Sequence, residues 1–298
     1  MSHPYASEAY VRSLGHVGEA FAVPEWRGHV LSRPIPHGGA RDAMGPYPLA
    51  VISPDADLSG GLQRLADDGL VSIVLVLDDR LRPQTAVLEQ AFDVVRSLKS
   101  HFLYDRTLGP LGLGKHHRYE LRRALTSVEV REIALRDHLA DWQDLYGTLA
   151  ARHGLGGLHA FPPAHHATLA RMPGVRTFGA FLKGRLVSAH VFVSHAGYAI
   201  SHLAASAPQG YETGAAYAVN NLAIAALTDC KAINFGGGAG LVEDPADGLV
   251  RFKKGFANTT APAWLCGKVL NPAAYADLSA GRGDSAFFPA YRAGRGQA

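Results

Sequence analysis

The chain has 298 residues, of which 47% are hydrophobic and 18% charged, and its formal net charge is +3. That length suits one large domain or two ordinary ones, and the composition supplies a packed core, which excludes a disordered chain and gives no sign by charge alone of nucleic-acid binding. No run approaches the roughly 20 apolar residues of a membrane span, the start MSHPYASEAY lacks the pattern of a secretory signal, and two cysteines, Cys230 and Cys266, cannot build a disulfide framework or a four-cysteine zinc site.

The expectation is a cytoplasmic protein without membrane association. Segment 29–35 reads as a strand that ends in the turn-like Pro36-His37-Gly38-Gly39. Two prolines make 44–52 an edge strand or irregular. A short helix is predicted over 62–68, ended by Gly69, and a buried strand over 71–77 (VSIVLVL). Leu88, Phe92, Val95 and Leu98 fall three or four apart and predict a helix over 85–99. A strand follows at 101–104. The glycine-rich 109–114 breaks the pattern, and a basic helix is predicted over 115–125. Next come a strand at 128–133, helices at 139–152 and 163–171, and three strands at 176–182, 186–194 and 198–204. Hairpin-like Lys183-Gly184-Arg185 and His195-Ala196-Gly197 separate those three. An alanine-rich helix covers 214–227, and a strand at 232–235 runs into Gly236-Gly237-Gly238. Segments 250–256 and 263–269 read as strands, and the tail after Gly281 reads as loose. Strand meanders flanked by helices make the class α+β, or mixed α/β. The expected domains are 1–127 with the basic helix, 128–280, and a tail at 281–298.

Four segments carry a family resemblance. They are RYELRRA at 118–124, SHLAASAPQGYETGAAY at 201–217, INFGGG at 233–238 and RFKKGF at 251–256. The last is similar to a Phe-Lys-x-Gly-Phe element and is the most specific, and the order of the four is more specific still. Together they resemble the Fem-type family, over roughly residues 115–270. Its members include peptidoglycan branch-forming peptidyltransferases and tRNA-dependent aminoacyltransferases of peptide-antibiotic pathways. The resemblance implies two tandem lobes of the GCN5-related N-acetyltransferase (GNAT) type, each a mixed sheet flanked by helices. It implies aminoacyl transfer from an aminoacyl-tRNA to the free amine of a peptide-like acceptor, with no cofactor besides that donor. It assigns the transfer to Lys253 and Phe252, and substrate contacts to Tyr211, Gly214, Asn234, Gly236 and Gly237. Two departures stand out. Asn234 takes the place of a usual Asp, and the helical arm of some cell-wall members has no counterpart. The second departure favours a small peptide metabolite over a cell-wall precursor as acceptor.

The residues themselves carry chemistry. An ammonium at Lys253 suits the oxyanion of amide formation, or a donor phosphate; a surface lysine is the plain alternative. On a strand, Lys254 would face the other way. Gln209, Glu212 and Gly214 fall where acetyltransferases carry a pyrophosphate loop, but Glu212 replaces a glycine and repels that anion. Lys115, Arg118 and Arg122 share a helix face and, with Arg123, are candidates for tRNA phosphates or for an ordinary solvated face. The 109–114 loop reads as a phosphate cradle or a hinge, and Gly236–Gly238 as a close approach or a tight turn. His202 reads as a base or a core histidine. The adjacent pairs His116-His117 and His165-His166 point apart, so no metal site is expected. Arg282-Gly283-Asp284 reads as chance. Rival readings are an acyl-CoA-dependent N-acyltransferase and a non-catalytic anion-binding protein. The oligomeric state is not legible.

Overall fold

The computed structural model describes residues 2–36, 39–240, 244, 246–281 and 287–293. His37 and Gly38 of the expected turn, and Arg282-Gly283-Asp284, lie outside the described residues. In chain order the elements are α1 (Glu8–Ser13), β1 (Glu19–Val23), β2 (Gly28–Pro34), β3 (Arg41–Met44), α2 (Leu58–Asp67), β4 (Ser72–Asp78) and α3 (Thr85–Ala91). Then follow β5 (Val94–Asp105), α4 (Lys115–Leu125), β6 (Glu129–Ile133), α5 (Leu139–His153), α6 (Pro163–Leu169), β7 (Val175–Leu182), β8 (Arg185–His195) and β9 (Tyr198–Ser206). The last are α7 (Pro208–Thr213), α8 (Ala215–Ala226), β10 (Ala232–Asn234), α9 (Gly248–Lys254), β11 (Thr259–Val269) and α10 (Pro272–Ser279). The class is the expected one, mixed α/β. By internal contact the chain forms two units, 1–99 with 262–298, and 100–261. The lobes expected at 1–127 and 128–280 are consecutive segments. The first unit instead draws on both ends of the sequence, and the basic helix lies in the second.

In the first unit the strand order is β1-β2-β3-β4-β11. Strand β3 pairs with β4 in parallel, while β1–β2, β2–β3 and β4–β11 are antiparallel. The apolar run of β4 supplies Ile73, Leu75 and Leu77 to a core shared with Leu62 and Leu65 of α2 and Leu88 of α3. Helix α2 starts at Leu58, ahead of the expected 62, where Asp57 caps it, accepting from Gly60 N at 2.9 Å. The helix expected over 85–99 stops at Ala91. Phe92 is extended, and Asp93 accepts from Val269 N at 2.8 Å and Lys268 Nζ at 2.6 Å. The β-branched pair Val94-Val95 then opens β5, where stiff χ1 rotamers favour extended backbone. The described part of the tail is not loose. Tyr291 is buried beside Ile35 and Val71. Arg292 reaches the buried Asp42 at 2.6 and 2.9 Å, Arg33 reaches it at 3.0 and 3.2 Å, and the Tyr291 hydroxyl donates to it at 3.0 Å.

In the second unit the strand order is β5-β10-β9-β8-β7-β6. Strand β10 runs parallel to β9 and antiparallel to β5, and β6 to β9 form an antiparallel meander. Helix α8 lays Ala215, Ala218, Val219 and Ala223 on a core with Phe178 and Phe192. Two irregularities shape the middle of this sheet. Val191 pairs with Leu203 and Phe192 with Ser201, so His202 is the extra residue of a β-bulge. Pairing of β9 with β10 ends at Ile200 and Asn234, yet β9 runs on to Ser206, so the two strands part there.

Candidate functional site

Segment 250–256, expected as a strand, is the short helix α9 followed by Gly255 and Phe256. The Asp247 carboxylate accepts from Leu249 N at 2.8 Å and starts it. Lys253 and Lys254 are therefore not on opposite faces; they stand about 100° apart around a helix. Lys254 is exposed. Lys253 is half-buried, and its ammonium donates to Gly237 O at 2.7 Å. Phe252 packs on Tyr217 at 4.9 Å and Phe256 at 5.2 Å. The ring of His117, from α4, lies 5.0 Å from Phe256 and 5.1 Å from Tyr217. His117 Nε2 donates to the Phe252 carbonyl at 2.9 Å, so that nitrogen carries a proton. A Cβ on Gly255 would lie 2.0 Å from this ring.

The end of β10 meets Lys253. Gly236 takes a left-handed φ of 74°, which favours glycine, and a Cβ there would lie 3.3 Å from Lys253 Nζ. Within the segment 236–238, expected as a close approach or a tight turn, the chain's own ammonium lies against Gly236 and Gly237. Asn234 is buried. Its Oδ1 accepts from Gly236 N at 2.7 Å, and its Nδ2 donates to His101 Nδ1 at 3.1 Å. A carboxylate here could accept from Gly236 but could not donate to a neutral imidazole nitrogen.

Behind Lys253 lies a buried polar group that sequence reasoning missed. His190 Nδ1 donates to Asn220 Oδ1 at 2.5 Å, and its Nε2 accepts from Ser201 Oγ at 2.7 Å. Burial drives the imidazole down to about 3; the Asn220 bond opposes the drop and the Lys253 charge adds to it. The one sequence signal was a polar residue, Asn220, on the buried stripe of an alanine-rich helix. His202 lies in a separate buried group. Its ring is 5.9 Å from His165, and His166 Nδ1 accepts from Trp142 Nε1 at 2.9 Å. Burial holds His202 at about 3 and His166 at about 4. His202 is a core histidine.

The expected donor loop is the short helix α7, which leads into α8 through Gly214 with φ 68°. A Cβ on Gly214 would lie 3.1 Å from Glu120 Oε2 and 3.2 Å from Arg123 Nη2. That ion pair, at 2.5 Å, covers the start of α8, and Arg123 also donates to Glu212 O at 2.5 Å. Arg123 therefore serves the fold. Tyr211 is partly exposed, with the Arg152 guanidinium 4.3 Å over its ring. Lys115, Arg118 and Arg122 are exposed on α4. Arg118 reaches Leu113 O, and Arg122 reaches Arg118 O at 3.2 Å. The structure thus gathers Phe252, Lys253, Asn234, Gly236 and Gly237, and holds α4 beside them through His117.

Among the described residues no helix is long and apolar enough to cross a membrane. No family model and no curated protein matches the sequence. Solved structures do match. FemX is 12% identical, over 92% of this chain and 95% of that one, with a TM-score of 0.65. The C-terminal domain of a protein provisionally described as a lysylphosphatidylglycerol synthetase, from Agrobacterium fabrum, is 14% identical, over 90% and 88%, with a TM-score of 0.63. L-PGS from Bacillus licheniformis is 14% identical, over 91% of each chain, with a TM-score of 0.60. At such identities the likeness establishes the fold, and the fold is the one these proteins share.

Proposed function

We propose that this chain is an acyltransferase that moves the aminoacyl group of an aminoacyl-tRNA to the free amine of a peptide-like acceptor. The acceptor we favour is a peptide natural product over a peptidoglycan precursor. The observation that carries the reading is the Lys253 ammonium, held against Gly237 just past the point where β9 and β10 part. In the reaction the amine nitrogen attacks the ester carbonyl carbon, and negative charge develops on the carbonyl oxygen. An ammonium directed there stabilises it. The carbon–oxygen bond to the terminal ribose then breaks. The amide forms, and the ribose hydroxyl leaves with the proton that the amine gives up. Aminoacyl esters are reactive enough that orienting amine and ester supplies much of the acceleration, so no dedicated base is required.

Three further observations support an aminoacyl-tRNA over an acyl-CoA. The Glu120–Arg123 ion pair covers the start of α8, where a pyrophosphate would otherwise find a helix N-terminus. The exposed side of α4 carries Lys115, Arg118 and Arg122, suited to phosphates. Two of the similar folds belong to proteins named for a lysyl-bearing lipid or abbreviated L-PGS. No cofactor enters this scheme.

A donor screen tests it. Bulk charged tRNA, acetyl-CoA and other acyl-CoAs are offered with an amine-bearing peptide, and with phosphatidylglycerol vesicles in a parallel arm. Aminoacyl-peptide from charged tRNA is expected, with no coenzyme A binding in the micromolar range (on the order of −8 kcal/mol) by titration calorimetry. Micromolar coenzyme A binding with acyl turnover would overturn the donor, and a lipid product would overturn the acceptor.

A further inference from the structure

Asn220 is 1% exposed on α8, among Ala218, Val219, Ala223 and Ile224. Its Oδ1 accepts from His190, and its Nδ2 has no hydrogen-bond partner among the described residues. Turning the amide over would exchange the atom left unmet without supplying a second partner. A buried amide hydrogen bond left unmade is costly, and a group retained at that cost asks for a ligand.

Its surroundings say where the ligand would lie. His190 links Asn220 to Ser201, the first residue of β9 beyond its last pairing with β10. Lys253 sits at Gly237, three residues past the same pairing, and its charge is felt at His190. The wall is aromatic: the Phe192 ring is 4.1 Å from His190, and Phe235 packs on Phe192 at 6.4 Å. His190 is neutral there. The amide is thus one uncharged polar group among apolar neighbours, in the same sheet region as the lysine to which the proposed function gives the reacting carbonyl.

We propose that Asn220 is a specificity-determining residue that reads the side chain of the transferred acyl group. It selects a side chain bearing a hydroxyl over an apolar one of the same shape. A hydroxyl both donates and accepts, so it satisfies the amide in either orientation. This rests on acyl transfer at Lys253, and not on which carrier brings the acyl group. A site built to bond a substrate hydroxyl rejects the analogue that lacks it more strongly than an apolar pocket rejects an extra methyl group.

The test uses the whole protein and one tRNA species charged in turn with threonine and with valine, which differ by hydroxyl against methyl. Wild type should use threonyl-tRNA at least about tenfold better by kcat/KM. Asn220→Leu, similar in volume, should bring the ratio towards one by losing threonine and gaining valine. Asn220→Ala should also lower it, and thermal melts confirm that each variant is folded. If charged tRNA is not used, 3-hydroxybutyryl-CoA and isovaleryl-CoA make the same comparison. A hydroxyl preference seen only there overturns the tRNA donor and keeps the role of Asn220. Equal use of both members of the working pair, or an unchanged ratio in Asn220→Leu, overturns that role. Transfer from neither carrier overturns both.

Discussion

On α9 only one of two neighbouring lysines is engaged. The Lys253 ammonium donates a hydrogen bond to Gly237 O at 2.7 Å, and Lys254 is exposed. Lys253→Ala should therefore lower kcat by about 10²–10³, the usual cost of losing one oxyanion-directed donor. Lys254→Ala should stay within about twofold, since surface substitutions seldom matter beyond ±0.5 kcal/mol. Equal effects from the two, in steady-state kinetics on folded protein, would remove Lys253 from the reaction. The motif that carries Phe252 and Lys253 was legible because it is local in sequence. Asn220 and His190 were not. They lie 30 residues apart, and only the β8–α8 packing joins them. Asn234 was legible as a position, but its meaning changed: its amide shapes the turn at Gly236 and bonds His101.

Between elements, α4 meets α9 through the His117 ring, which donates to Phe252 O and lies against Gly255. Gly255 has φ −72° and ψ −13°, values any residue adopts, so its backbone does not require glycine. The His117 ring does, at 2.0 Å from the place of a Cβ. Gly255→Ala should cost about 1–3 kcal/mol through overpacking and lower Tm. Adding His117→Ala should recover part of that loss. Thermal melts of the two single variants and the double variant check it, and simple additivity would show that ring and glycine are independent. The motif's glycine was readable, but its partner was not, because positions 117 and 255 have no sequence relation. Segment 250–256, read as a strand, is instead largely helical, and the Asp247 cap was the contrary signal. The segment 85–99 erred the other way. Its apolar residues fit a helix, but the pairing of Asp93 with β11 ends it.

At the scale of the molecule, the class was legible from the alternation of strand runs with helices, while the grouping into units was not. Compositional breaks mark connections, whereas contacts such as Arg292 to Asp42 join the ends of the sequence. The second unit carries a pH dependence. Burial holds His166, His190 and His202 neutral at about 4, 3 and 3. Unfolded, each would titrate near 6.5. Between those values the unfolded chain binds more protons. Stability is thus fully present above about pH 6.5 and is lost as pH falls, by up to about 1.4 kcal/mol per pH unit for each histidine. The urea midpoint should drop from pH 7 to pH 5, and His202→Gln should flatten the drop. A midpoint that holds or rises would show that these rings are charged when folded. The two-ended first unit also matters on the ribosome. Residues 100–261 are complete while 262–298 are still to be made, so the second unit can close first. Until β11 is synthesised, β4 waits with one edge unpaired, and its VSIVLVL stretch is the kind of apolar edge that nascent chains leave open to aggregation. Slow delivery of residues 262–298 would lengthen that exposure.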